Sequence, residues 1–468
     1  MVKNTLDCLI RGGIHDHIGH GFHRYSTDRQ WLVPHFEKML YDQALLIMAF
    51  TEAYQATGDE NYAHTARQTI AYILRDMTHP GGGFYSAEDA DSDGEEGKFY
   101  LWTVAEIKDI LSGDEASRFI DLFNIKEAGN FHNGFTEDTR GLNIPHLPRT
   151  LEVAAATINL RVDFVRNTLE AARQKLFIQR EKRIHPFRDD KILADWNGLM
   201  IGALAQAARI LDTPAYLAPA RQAVGFILKQ KASPGGGLLH SYRAGQASVN
   251  GNLDDYAFMV FGLIEIYEAT FEATFLKQAL KLNEFMLAHF WDEQEGGFYF
   301  TPDNHQAEIT RMKETFDGAV PSGNSMAAYN LTRISMITGD FAIMEKAAGM
   351  WRAFAGTARQ SLSAHAYLLS AFDLAARPSY GIIVVGQSPD PAQSELLRAL
   401  RLSYLPHQVT LFLSGNDTIR EINQLAPFTR DMVAIDGKET AYICTNQACQ
   451  APVTDPAAML EILTGYRP

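Results

Sequence analysis

"DQALLIMAFTEAYQATGD" runs from Asp42 to Asp59, almost wholly apolar or small, without proline, and closes on an acid. The pattern returns as "DWNGLMIGALAQAARILD" from Asp195, "DYAFMVFGLIEIYEATFE" from Asp255 and "GNSMAAYNLTRISMITGD" from Gly323. Each copy ends 17 positions after its start, on Asp59, Asp212, Glu272 or Asp340. A helix that is apolar on nearly every side is buried on every side. Self-similar copies announce a repeat architecture.

A second kind of helix follows each copy. In "NYAHTARQTIAYILRDM" (Asn61–Met77), Tyr62, Ala66, Ile70, Ile73 and Met77 make one stripe and the rest is polar, the mark of an outer amphipathic helix. Glycine runs come next, at Gly81, Gly235 and Gly296, which lie 39, 40 and 41 residues after Asp42, Asp195 and Asp255. Glycine ends a helix in the left-handed conformation, and the β-prone residues after it suggest a short strand or hairpin.

Further helices are expected in "MVKNTLDCLIRGG" from Met1, in "TVAEIKDILSGDEASRFIDLF" from Thr103, as one long helix over about Leu151 to Arg183, and in "SLSAHAYLLSAFDLAAR" from Ser361. That makes about twelve, in two rings of six. The expected fold is all-α, an (α/α)6 toroid over residues 1–378, with the inner-helix starts around one end of a central cavity. After Pro378 the texture changes to strand, helix, strand and strand ("SYGIIVVG", "DPAQSELLRALR", "HQVTLFLSG", "ETAYICT"), a small α/β subdomain over 379–468.

Bulk properties narrow the function. With 46% hydrophobic and 21% charged residues the chain is an ordinary globular protein. A net charge of −14 argues against nucleic acid, which needs a basic face. No stretch approaches the roughly 20 apolar residues of a membrane span, and "MVKNTLDCLIRGG" has no secretory leader's apolar core. Three cysteines, Cys8, Cys444 and Cys449, make no disulfide framework, so a cytoplasmic location is expected.

Candidate chemistry concentrates in "GGIHDHIGHGFHRYSTDRQWLVPHFEKMLYDQ" (Gly12–Gln43), which holds five of the fifteen histidines: His15, His17, His20, His23 and His35. It reads as a metal site, as a wall of an acid/base site, or as a glycine-rich loop whose imidazoles bond backbone. No His pair has helical metal-ligand spacing, so neither metal nor cofactor is expected. In the acid/base reading His23, His35, Glu37 and Asp42 carry the chemistry beside Arg24 and Tyr25, because imidazole titrates near neutrality.

"EDADSDGEEGKFYLW" from Glu88 begins like a calcium loop at Asp89, Asp91 and Asp93, but Tyr100 stands where the bidentate Glu belongs. An acidic hairpin projecting over the barrel mouth is the better reading, with Asp89 and Asp91 as the candidates to reach the cavity. The inner-helix starts offer Asp195 as a further acid/base group, with Trp196, Asn197, Asp254, Asp255, Tyr256, Ser322 and Asn324 as binding groups. Asp, Ser and Asn are also the favoured helix caps, so both readings stand. Cys444 and Cys449 are expected to be two small buried residues, with a redox pair as the alternative.

"GGIHDHIGHGFHRYSTDRQWLVPHFEKMLYDQA", "GGGFYSAEDADSDGEEGKFYLWT", "KILADWNGLMIGALA", "LDDYAFM" and "PSGNSMAA" together resemble the YyaL-type family of spermatogenesis-associated, thioredoxin-domain-containing proteins. The resemblance spans nearly the whole chain. It implies a thioredoxin-like domain followed by a barrel similar to N-acylglucosamine 2-epimerases and six-hairpin glycosidases. This sequence starts almost at the barrel, so that N-terminal domain and its redox role are not expected here. The resemblance points to a carbohydrate-active enzyme, an epimerase/isomerase or a glycoside hydrolase, with a sugar-like small molecule as ligand. The alternative is a non-catalytic binding or quality-control module that works with a thioredoxin-like partner.

Overall fold

The computed structural model describes residues 1–131, 140–230, 237–303, 310–445 and 448–465. Gly235 lies outside them. The architecture is the (α/α)6 class with a small α/β part. The helices are α1 (Val2–Arg11), α2 (Leu40–Thr57), α3 (Glu60–Asp76), α4 (Val104–Ile110), α5 (Gly113–Leu122), α6 (Leu151–Thr157) and α7 (Val162–Arg180). Then follow α8 (Ala194–Ile210), α9 (Leu217–Gln230), α10 (Leu253–Thr270), α11 (Ala273–His289), α12 (Gly323–Thr338), α13 (Phe341–Gln360) and α14 (Ala366–Ala376). The last three are α15 (Glu395–Leu402), α16 (Asn416–Leu425) and α17 (Pro456–Gly465).

The four repeat copies are α2, α8, α10 and α12. In α10 an unbroken run from Asp255 to Glu268 is buried, as the all-round apolar pattern requires. The acid that closes a copy stands at the N-cap of the outer helix after it in two cases: Glu272 holds that position in α11 without a side-chain cap bond, and Asp340, at the N-cap of α13, accepts the Ala342 N–H at 2.8 Å. Two expected helices are each two helices. Residues 151–183 break between α6 and α7, where Asn159 takes a left-handed φ of 55°. The Thr103 segment breaks between α4 and α5.

Internal contacts divide the chain into two compact units. The first holds residues 1–50, 60–78 and 85–190; the second holds 51–59, 79–84 and 191–468. In the first, short antiparallel pairings join 38–39 to 87–88 and 87–88 to 188–189, and 25–26 to 34–35. In the second, α8 and α10 approach so closely that a side chain on Gly198 would strike the Phe258 carbonyl, and one on Gly262 the Gly198 carbonyl.

The α/β part lies wholly in the second unit. Strand 380–385 pairs in parallel with 408–413 and antiparallel with 440–445, which in turn pairs with 448–449. That last register sets Cys444 directly opposite Cys449, and the two form a disulfide. This corrects the expectation of two separate buried thiols: Cys449 is exposed and both sulfurs are bonded. No described helix is long and apolar enough to cross a membrane.

Candidate active site

Four of the five clustered histidines are loop groups, His15, His20 and His23 buried and His17 half-buried. His15 and His17 contact the Ile10 and Gly12 carbonyls at 3.2 and 3.0 Å, and His23 Nδ1 donates to Phe36 O at 2.9 Å. Burial lowers all four, His17 to about 4 and His20 and His23 to about 3, so each is neutral at pH 7. The His23 ring lies edge-on to Phe36 and Tyr100 and is 3% exposed, which leaves no room for a substrate on it.

Beneath them lies an ionic network. Asp16 receives Arg180 on both oxygens, at 2.8 and 2.9 Å, and the Lys38 ammonium at 2.7 Å. All three side chains are almost fully buried. Burial works to raise the Asp16 carboxyl, but Arg180 and then Lys38 hold it well below the usual range.

His35 differs from the other four. It sits in the short strand before α2, its ring against Tyr25 at 5.1 Å between centroids, and it is part exposed. Its Nδ1 meets Glu96 at 2.7 Å and its Nε2 meets Glu37 at 3.2 Å. Glu37 also takes the Arg24 guanidinium at 2.8 Å, and Arg24 Nε donates to Tyr41 Oη at 3.1 Å. Asp42 follows in the first turn of α2. Burial pushes its carboxyl up to about 7; Arg24 opposes this and Glu37 adds to it. Its Oδ2 is buried and has no partner among the described residues. Because α2 begins at Leu40, His35 is not on the helix with Asp42, and the carboxylates on its imidazole are Glu37 and Glu96.

The acidic hairpin turns at Asp93–Gly94, both left-handed, between strands 91–92 and 95–96. Asp89 and Asp91 are exposed on it. Lys98 occupies Asp93 and Glu95 at 2.9 and 2.7 Å, which takes up calcium-loop carboxylates.

The second unit holds a separate acidic cluster. Asp195, in the first turn of α8, accepts the Trp196 N–H at 2.8 Å. Asp255 is fully buried, bonds the Asn252 N–H at 2.8 Å and the Asp195 N–H at 3.2 Å, and meets His240 Nδ1 at 3.0 Å. Burial, then Asp195, Asp255 and Glu314, push the neighbouring Asp254 up to about 8. One ligand atom each from Asp195, His240 and Asp255 lies within 4.8 Å of the others, a spacing that a divalent ion fits. His240 was not singled out from sequence. Its signal is its place three residues beyond the glycine run, on strand 239–243, which pairs with 192–193 just before Asp195.

Other inner-helix groups are clamps on backbone. Asn197 accepts the Phe84 N–H at 2.7 Å and returns an N–H to the Phe84 carbonyl at 3.0 Å. Asn324 does the same to Phe298 at 2.8 and 2.9 Å, and Gln43 to Phe22 at 2.8 and 2.7 Å. At the third copy, α10, the Tyr256 hydroxyl accepts the Leu238 N–H at 2.7 Å. Ser322 caps α12 by accepting the Ser325 N–H. Asn197, Asn324, Tyr256 and Ser322 thus tie each glycine turn or helix start down. Trp196 is half-buried beside them.

Comparison with known proteins gives the lineage. The chain is 35% identical over 494 residues to human spermatogenesis-associated protein 20, covering 99% of this chain and 62% of that protein. The rat protein of the same name is 34% identical over 490 residues, with 99% and 62% covered. These relatives bear the name of the family that the sequence motifs resemble, and the similarity runs over nearly the whole chain. It spans 62% of the length of these curated relatives. A Caenorhabditis elegans protein described only as uncharacterized is 29% identical over 482 residues, with 97% and 64% covered. No family profile matches. Among solved structures, cellobiose 2-epimerase from Bacillus thermoamylovorans is similar at a TM-score of 0.49 and 9% identity, over 95% of this chain and 90% of that one. A GH76 α-mannanase from Bacteroides thetaiotaomicron is similar at 0.41 and 10%, over 79% and 73%. In this chain the His35–Asp42 group lies within the first unit and the Asp195–Asp255 group within the second.

Proposed function

We propose that this spermatogenesis-associated protein 20 relative is a carbohydrate-active enzyme of the epimerase/isomerase kind, using Asp42 as its acid/base group. The observation that carries the reading is the half-buried Asp42, whose Oδ2 is buried and has no partner among the described residues, and whose carboxyl burial pushes up to about 7. A group that titrates at the working pH both removes and returns a proton well. Moving the proton next to a sugar carbonyl needs that exchange. Arg24, held by Glu37 and Tyr41, supplies positive charge for the oxygen that becomes negative as the proton leaves. His35, fixed by Glu37 and Glu96, is the second proton carrier, and the exposed Tyr25 ring beside it offers a face for a sugar ring. Asp89 and Asp91 on the exposed hairpin are candidates for sugar hydroxyls. His23 takes no part, because it is enclosed and neutral. A cytoplasmic location belongs to the same proposal.

The test is a screen of reducing sugars for C2 epimerisation or aldose–ketose conversion, followed by nuclear magnetic resonance. Turnover that falls by about 10²–10⁴-fold in Asp42→Asn supports the reading. Turnover that survives Asp42→Asn and His35→Gln rejects it.

A further inference from the structure

A cavity of about 1120 Å³ opens in the second unit between α11, α12, α13, α14 and strand 380–385, and none of the acid/base candidates lines it. Its size slightly exceeds the roughly 300–1,000 Å³ of small-molecule sites. Leu287, Met336, Ile343, Trp351, Phe372 and Phe428 give it an apolar wall. Phe372 and Phe428 are themselves well exposed, at 49% and 39%.

The polar groups of the wall are mostly spent. The Thr332, Ser335 and Thr338 hydroxyls donate to carbonyls of their own helix, at 2.9, 2.8 and 2.8 Å. Charges in the wall balance, Glu284 and Asp340 against Lys346 and Arg377, so neither an anion nor a cation is selected. Lys346 is moreover held by Glu293 and Arg377 by Asp373. One buried side-chain group is not spent. Asn283, 1% exposed, lines the cavity, and its Oδ1 has no partner among the described residues. Native proteins seldom leave a buried acceptor unmet without a reason.

We propose that this cavity binds a neutral lipid-sized alcohol, its hydrocarbon body against the apolar wall and its single hydroxyl donating to Asn283. Apolar contact supplies the affinity, and the buried acceptor supplies the selectivity, since it rejects analogues that lack a donor.

The experiment titrates the full chain with tetradecan-1-ol and with its methyl ether, each delivered from cyclodextrin, and follows binding by calorimetry. The expected result is one site that binds the alcohol roughly tenfold more tightly than the ether, the worth of one hydrogen bond. Asn283→Leu should remove that preference and leave ether affinity unchanged. Should that variant fail to fold, Asn283→Asp, which keeps an acceptor, should retain the preference. Absence of binding to the unaltered chain overturns the proposal, as does equal affinity for alcohol and ether, or a preference that persists in folded Asn283→Leu.

Discussion

At Asp42 the physics turns on one enclosed carboxyl. Its pKa of about 7 lies above the roughly 3.9 of an unfolded Asp, so between those values the native state holds a proton that the unfolded state has lost. Stability from this group therefore falls as pH rises through that window. Asp42→Asn keeps the shape and cannot ionise, so its melting temperature relative to the unaltered chain should climb from pH 5 to pH 8. A difference that stays flat with pH would show that Asp42 is ordinary. Asp16 presents the opposite case. It is charged and serves two buried cations, so Asp16→Ala strands Arg180 and Lys38 and should cost about 3–5 kcal/mol in denaturant unfolding. A loss under 1 kcal/mol would mean that water reaches the network. Asp42 was singled out in "GGIHDHIGHGFHRYSTDRQWLVPHFEKMLYDQ" as an acid near histidines, and Asp16 was passed over. The role of Asp16 was not legible, because Arg180 lies 164 residues from Asp16 and no local pattern announces that pairing.

The inner helices were legible as elements because burial on every side leaves a one-dimensional trace, an apolar stretch without proline. Their polar starts were misleading for a physical reason. Asn, Ser and Tyr suit a ligand and suit a stray backbone equally, and here the backbone of the glycine turn takes them. Asn197 holds both polar groups of Phe84 and the Leu193 carbonyl besides. Asn197→Ala leaves these buried groups unmet and should cost about 2 kcal/mol or more. Asn324→Ala should behave alike, since it holds Phe298 and the Glu314 carbonyl in the same manner. Urea unfolding measures both, and a change within 0.5 kcal/mol in either would contradict the clamp. The break between α6 and α7 escaped the sequence reading because Asn159 alone takes the left-handed turn, with no glycine or proline to mark it.

For the chain as a whole, composition and repeats revealed the fold class, whereas the charged residues inside apolar helices were overlooked. In the second unit Arg333 pairs with Glu265 and Glu268, each at 2.7 Å and all three buried, and Glu268 also accepts the Thr410 N–H at 2.9 Å. We propose the boundary at 378/379 as a change of architecture across which α10 is tied to strand 408–413. A chain ended at residue 378 should then lose cooperative unfolding, as seen by calorimetry; a full-height transition would mark the α/β part as dispensable. The central claim is that Asp42 moves a proton next to a sugar carbonyl. Proton exchange itself is the most direct measure: incubate reducing sugars with the protein in D₂O and follow loss of the C2 proton by nuclear magnetic resonance from pH 5 to 9. The account predicts enzyme-dependent exchange in at least one sugar, with a rate limb near pH 7 that vanishes in Asp42→Asn. Exchange that is absent from every sugar, or undiminished in Asp42→Asn, would contradict it.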